Sequence, residues 1–493
     1  MGRLLSDFGH ELPRVARVEK PATAPRVFRY AQRRGARRNG AGWAPAVAPV
    51  SPWRMTTDQA PVLWPFIAPP GLPPTGAQVG INQLSGGAFN FDPHGWVLDE
   101  SVQVTNPNVI QMGKPGTQKS TTVKCSALRM MEYGYRLLIL GDIKDEYVDV
   151  CRALGQEPFE VGIGLPARIN PLDFGPLRQG WERLDRQEIE RRSQIVFSRW
   201  LTLVGGLVGS QQVGDRRVPF GPTEERVVEA ALRELTGYAS AQSTLTETTI
   251  PQLWDLIDNP PKALIEACRY ESEAHFFNDT RLLRDSLSGL VRGALAGLFD
   301  NHTTIDVDWA APIQSLSLSR LRQLGEEAVG VALLCVNSWG RGMRELAIPG
   351  DLRIVVRDES WMQMRLGPAA VKSFDADLRL SRTDGELQWA VMHKPSDPLS
   401  AGDAGSQAWN IAKDLINLAD IKILHGQDPK IANELEQILE LGPIVRDLVT
   451  GWARRGPGRA VWMVGEQAFK VQMVRHPLEV ALTNTNQALE KAG

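Results

Sequence analysis

Gly113, Lys119 and Ser120 stand at the spacing of a phosphate-binding loop, in the run Val109–Cys125 that reads VIQMGKPGTQKSTTVKC. Such loops follow G-x-x-x-x-G-K-[ST], and here Gln118 occupies the position of the second glycine. Backbone N–H groups of the loop, and of the helix it opens, point at phosphate oxygens, and the helix dipole favours the negative charge. Lys119 would reach the β- and γ-phosphates, and the Ser120 hydroxyl would hold Mg2+. On this reading Gly113, Lys114, Pro115, Gly116, Thr117, Gln118, Lys119, Ser120 and Thr121 cradle a nucleotide. Gln118 brings a cost: if its φ must be positive, a side chain there is disfavoured by roughly 1–2 kcal/mol where glycine is free. Affinity or rate is then at stake rather than folding.

A phosphate loop needs acids on a second strand. The run IVVRDESW supplies Asp358, to hold Mg2+ through water, and Glu359, to orient or deprotonate the attacking water. The same two letters also end many ordinary strands. Arg357 stands where a fourth apolar residue normally precedes the pair, and it is expected to add positive charge near the site.

Those residues require a strand before the loop, a helix after it, and further buried strands. NVIQM reads as a short buried strand. STTVKCSALRMMEYG reads as a helix with Val123, Ala127, Met130 and Met131 on one face and Gly134 as its stop. YRLLILGD reads as a second buried strand. Helical patterns dominate from about Phe174 to Asp300. Thr223 is the expected cap of one helix and Gly237 its stop; Leu283, Leu287, Leu290, Ala294 and Leu298 fall at helical spacing in another. Strand patterns return at 352–360, 386–394 and 419–427, and alternation around Gly465-Glu466 predicts a β-hairpin. Four parts follow: a basic, Pro/Gly/Ala-rich arm and linker at 1–75, a first core segment at 76–174, a helical insertion at 175–300, and a second core segment at 301–493.

The whole chain has 493 residues, 43% hydrophobic and 23% charged, with a net charge of -2, which suits a soluble protein with a large core. Near-neutral charge argues against a surface that coats nucleic acid. The first 40 residues nevertheless carry ten Lys or Arg against three acids. That arm is either a solvated tail or a contact for nucleic acid or an acidic membrane. The four cysteines, Cys125, Cys151, Cys268 and Cys335, form no C-x-x-C pair, which disfavours zinc and a disulfide scaffold and suits a reducing cytosol. The apolar run LTLVGGLVG is far shorter than the roughly 20 residues of a membrane span.

GDIKDEY, Gly141 to Tyr147, follows the second strand and resembles the D-P-K-G-E-Y motif of the HerA–FtsK superfamily of ring ATPases, in its conjugative-transfer, type IV secretion branch of high-GC Gram-positive bacteria. Asp142, Lys144, Glu146 and Tyr147 match, while Ile143 and Asp145 depart. SGGAFNFDP and NPNVI before the loop, RINPLD after it, DESW, SAGDAGSQAWNIAKDLI and RAVWMVG extend the resemblance in order over roughly residues 60 to 485. It implies an α/β, RecA-like P-loop core, mainly parallel sheet flanked by helices, with an all-helical insertion. It also implies ATP and Mg2+ as cofactors and a homo-hexameric ring with nucleotide at subunit interfaces.

Position by position, the resemblance places Asp142 and Glu146 at the pocket and His393 as a polar sensor of the γ-phosphate, with Gln427 in a similar place on the next strand. Arg382, in LSRTDG, aligns with a finger reaching a neighbour's nucleotide, and an ordinary surface arginine is the other reading. KPGTQKS is also similar to the loop of the partitioning ATPases, with Lys114 as their interface-crossing lysine, but those lack D-x-K-x-E-Y and the helical insertion. The resemblance implies a cytoplasmic motor without its own membrane span, recruited to the inner face of the membrane by transfer-channel proteins and moving DNA or protein. DNA contact, if made, is not sequence-specific. A non-hydrolysing ring scaffold and a DNA-pumping translocase remain as alternatives.

Overall fold

The strand Val109–Met112 sits at the point where the strand order of a parallel sheet reverses. The computed structural model describes residues 71–483 apart from 163–164, 215, 240–243, 294, 305–307, 309, 347–349, 395 and 397–406. The arm at 1–70, Ala294 and the start of the SAGDAGSQAWNIAKDLI motif lie outside the described residues. The described strands are β1 (Ala77–Asn82), β2 (Ala88–Phe91), β3 (Val109–Met112), β4 (Tyr135–Asp142), β5 (Phe159–Glu160), β6 (Gln212–Val213), β7 (Arg216–Arg217), β8 (Ile313–Ser317), β9 (Leu352–Arg357), β10 (Glu386–Met392), β11 (Ile421–His425), β12 (Arg459–Val464) and β13 (Gln467–Met473).

Eleven of them form one sheet in the order β2-β1-β13-β12-β11-β3-β10-β9-β4-β8-β5. From β11 to β5 every pairing is parallel. From β11 outward through β12, β13, β1 and β2 every pairing is antiparallel. The mainly parallel α/β core expected from the sequence is therefore present, with an antiparallel extension containing the expected hairpin. The chain leaves β3 toward β4 on one side and returns to β11 on the other, which opens a crevice at the carboxyl ends of the strands.

Parallel strands are covered on both faces and so read as continuous apolar runs. In β4 and β9, Leu137, Ile139, Ile354 and Val356 share a core with Val123, Ala127 and Met130 of the helix Lys119–Met131. Leu138, Leu140 and Val355 pack on the other face with Val196, Trp200, Leu203 and Leu333. Those residues belong to the helices Arg186–Ser210 and Glu326–Arg344, so the helical region shares its core with the sheet. Apart from the two-residue ribbon β6–β7, the described regular elements of that region are helical. Among the described residues no helix is long and apolar enough to cross a membrane. The four cysteines are buried and free.

Three local expectations are corrected. The helix Pro222–Thr236 is capped by Gly221, whose N–H donates to Glu224 Oε2 at 2.8 Å, and not by Thr223. Pro222 fits the first helical position, because its missing N–H has no partner there anyway, so the helix starts earlier. The helix carrying Leu283, Leu287 and Leu290 ends at Arg292, and Leu298 is buried in a turn beyond it.

The third correction concerns Arg357. It turns away from the acid pair into the opposite layer, where it is 3% exposed. Its guanidinium donates to Asp377 Oδ2 at 2.7 Å, Gln388 Oε1 at 3.0 Å, Gln363 Oε1 at 3.0 Å and Asn337 Oδ1. Asp377 also receives Arg341 at 3.2 Å and Arg344 at 3.0 Å, and these arginines hold its carboxyl below the ordinary range against the cost of burial. The network ties β9 to the helices Glu326–Arg344 and Pro368–Leu380. Removing one partner strands buried charge, at a cost of roughly 3–5 kcal/mol. Asp377→Ala is therefore expected to lower the unfolding free energy by about that amount, measured by urea denaturation. A loss below about 1 kcal/mol would show that the arginines find water instead.

Candidate functional site

At the crevice beside β3, one polar side chain joins four elements. Gln111 is fully buried. Its Nε2 donates to Lys119 O at 3.1 Å and lies 2.7 Å from His425 Nε2, while its Oε1 accepts from Trp389 Nε1 at 2.9 Å. The amide thus pins β3 to β10, to β11 and to the first residue of the following helix. The backbone also runs close here. A Cβ on Gly113 would lie 2.5 Å from His425 Cβ and 2.9 Å from Thr117 Oγ1, so only glycine fits.

Gln118 caps the helix with φ 66° and ψ 38°, the left-handed conformation in which glycine is free and glutamine is not. Its carbonyl accepts from Thr122 N at 3.0 Å, the first bond of the helix. Its side chain reaches across to the Pro457–Gly458 turn, where a Cβ on Gly458 would stand 3.2 Å from Gln118 Oε1. Two more of the five non-glycine residues with positive φ among the described residues are at this crevice, Asp145 at 57° and Glu359 at 51°. Strain of this kind costs about 1–3 kcal/mol per residue and persists where the surroundings enforce it.

Lys119 is folded into its own loop. Its Nζ donates to Gly113 O at 2.8 Å and Lys114 O at 3.4 Å and stands 3.3 Å from His393 Nδ1. Burial holds its pKa below the ordinary lysine value, offset in part by the charges of Asp358 and Glu359. His393 Nε2 lies 3.0 Å from Glu359 Oε2. A neutral ring with its proton on Nε2 donates to Glu359 and accepts from Lys119, which satisfies both contacts. Glu359 also receives Lys144 Nζ. Burial first, then the carboxylates of Glu146, Glu359 and Asp142, push Asp358 up to about 7.

Each matching letter of D-x-K-x-E-Y has a separate contact. Asp142 accepts from the N–H groups of Lys144 at 3.2 Å, Glu146 at 3.0 Å and Tyr147 at 2.8 Å, which folds the turn. Burial pushes its carboxyl up to about 6 against those bonds. Lys144 engages Glu359. Glu146 Oε2 stands 3.8 Å from the buried Lys124 Nζ, which also lies 5.3 Å from the Tyr147 ring centroid.

Pro115, Gly116, Gln118, Lys119, Ser120, Thr121, Glu146, Asp358, Glu359 and His393 line a single cleft of about 560 Å³. Of the other residues singled out in the sequence, Gly113, Thr117 and Asp142 support its wall from behind. Lys114 turns outward to Asp428 at 3.0 Å. Gln427 is buried and donates from Nε2 to His393 O at 2.7 Å, so it braces that residue without reaching the cleft. Arg382 lies before β10 rather than after it, at the opposite end of the sheet, with Nη1 3.3 Å from Thr105 O. Sequence reasoning missed Lys144, although it stands in the quoted motif. It also missed Pro457, Arg475, Val480 and Thr483, which no local pattern marks.

The donor set fits a nucleoside triphosphate with Mg2+. Loop and helix N–H groups, Lys119 and Lys144 suit phosphate oxygens, and Ser120 with Asp358 suits a hard cation that keeps most of its waters.

No family model and no curated protein matches the sequence. Solved structures do. VirB4 of Thermoanaerobacter pseudethanolicus superposes with a TM-score of 0.64 at 19% identity, over 84% of this chain and 100% of that one. The plasmid coupling protein TrwB in complex with ADP and Mg2+ gives 0.52 at 14% identity, over 82% and 90% of the two chains. The chain shares their fold, an α/β RecA-like P-loop core.

His425 supplies a pH test of this packing. Burial and the nearby Lys119 charge lower its pKa to about 3. Below about pH 6.5 the unfolded chain takes up a proton that the folded chain refuses, so stability falls on acidification by roughly 1.4 kcal/mol per pH unit. The raised Asp142 and Asp358 act with the opposite sign in the same window. Between pH 7.5 and 5.5, wild type should therefore lose about 1.4 kcal/mol more than His425→Gln in urea denaturation. Equal losses would show that His425 is not held neutral.

Proposed function

We propose that this chain is a Mg2+- and ATP-dependent motor of the conjugation and type IV secretion class. The carrying observation is that Lys119, Ser120, Asp358, Glu359 and His393, drawn from three strand ends, line one cleft where the strand order of the sheet reverses. The ordered motifs around GDIKDEY and the two structural neighbours support the same class. TrwB, solved with ADP and Mg2+, supports those ligands.

In this reading Lys119 leaves its loop carbonyls for the terminal phosphates, and Ser120 and Asp358 hold Mg2+. Held by those two residues, Mg2+ would supply positive charge to offset that of the phosphates. Glu359 takes the proton of the attacking water, and the His393 Nε2–H keeps its carboxylate oriented. Gln427 fixes His393 through its backbone. Asp142 shapes the turn that presents Lys144 and Glu146. Arg382, far from its own cleft, would serve a neighbouring subunit in a homo-hexameric ring. Channel proteins of the membrane would recruit the ring, and DNA or protein would be its cargo. The four-part division at residues 75, 174 and 300 stands as part of this proposal.

The test is steady-state ATP hydrolysis with Mg2+. Lys119→Ala and Glu359→Gln should each lose turnover by at least about a hundredfold. Gln118→Gly sheds a left-handed strain of roughly 1–2 kcal/mol and gains glycine's entropy cost of roughly 0.5–1 kcal/mol. Stability should then change by about 1 kcal/mol or less while turnover rises, so rate and folding effects are separable. ATP binding without turnover in wild type and Gln118→Gly alike would replace the motor with a nucleotide-binding scaffold.

A further inference from the structure

Resting on the nucleotide reading above, we infer that Lys144 is a second phosphate-contacting residue that rests on Glu359 until a γ-phosphate arrives and so makes the cleft prefer triphosphate over diphosphate. Lys144 is one of the cations that line the cleft, with Lys119 and Arg475. It lines the cleft with Lys119 and Ser120, and it also lines an adjoining cavity of about 380 Å³ bounded by Glu359, His393 and Arg322.

The two halves of its ion pair differ in freedom. The Glu359 side chain is 8% exposed and has the His393 contact as well, whereas the Lys144 side chain is 41% exposed. Its backbone is held. Asp142 receives three N–H bonds across residues 144–147, and Asp145 accepts the hydroxyls of Ser317 and of Ser319, the latter at 2.6 Å. The movable part is therefore the lysine side chain alone, on a rigid mount.

An incoming triphosphate competes with Glu359 for this ammonium group. The terminal phosphate is the more highly charged anion, and transfer of Lys144 leaves Glu359 oriented by His393 with its masking cation gone. A diphosphate lacks the group that would draw the lysine across. Binding of the correct ligand and exposure of the base are thereby one event, and a cleft holding product keeps the base covered.

Binding of Mg2+ with ADP, and with the β,γ-imido analogue of ATP, tests this by calorimetry. Wild type should prefer the analogue. Lys144→Met should lose analogue affinity by about ten- to a hundredfold, the worth of one charge-assisted hydrogen bond, with ADP affinity kept within about twofold. Lys144→Arg should retain the preference, and Glu359→Gln, which removes the resting partner, should widen it in favour of the analogue. Equal losses for both ligands in Lys144→Met would assign Lys144 a structural role and overturn the inference, as would no change in either. Wild type binding neither ligand would instead remove the nucleotide reading itself.

Discussion

The amide of Gln111 is the interaction on which the site depends. A parallel sheet has few buried polar side chains, and this one stands in β3, where the chain departs on one side and returns on the other. Its three contacts reach β10, β11 and the start of the loop helix at once. Each of those elements delivers a functional group just beyond its end: His393 after β10, Lys119 at the helix start, and the Gly426–Gln427 segment behind His393 after β11. A buried amide left without partners is costly, so the three elements keep one mutual register. The distance between Lys119 and His393 follows from that register.

Around this knot the site holds its charges in mutual check. Lys119 sits on loop carbonyls and near His393, Lys144 on Glu359, and Lys124 near Glu146. A polyanion entering the cleft finds cations that must be drawn from weaker partners, so selectivity arises from exchange rather than from simple attraction. The positive φ angles of Gln118, Asp145 and Glu359 belong to the same design, since each turns a side chain that a relaxed backbone would point elsewhere.

Much of this was legible in the sequence. β4 spans Tyr135–Asp142, the stretch that YRLLILGD marks, because a strand buried on both faces must be apolar throughout. The loop and the acid pair were legible because their chemistry dictates both residue types and spacing. What was not legible depends on direction. Arg357 reads as charge beside the site, yet its partners, Asn337, Gln363, Asp377 and Gln388, lie in the layer away from the acids, and no local pattern announces them. Within D-x-K-x-E-Y the letters were visible and their division of labour was not. The turn set by Asp145 aims Lys144 into the cleft and Asp142 into its own backbone. β1, β2 and β8 were also missed, since their short runs carry too little periodicity to stand out.

The lip of the cleft comes from the segments that flank the β12–β13 hairpin. Pro457, Arg475, Val480 and Thr483 close a pocket whose floor is laid down by residues 115–121. A ribosome makes that floor long before it makes the lip, and the whole helical region and six strands of the large sheet, β4, β5 and β8–β11, emerge in between. Contacts so distant along the chain form slowly. The growing chain therefore passes through a long interval with an open, half-built pocket and an exposed sheet margin, where chaperones have a target and where ligand cannot yet hold the two sides together. Only after β12 and β13 pair does the pocket gain its second jaw, so a ligand that touches both sides can select for completed molecules among those still being made.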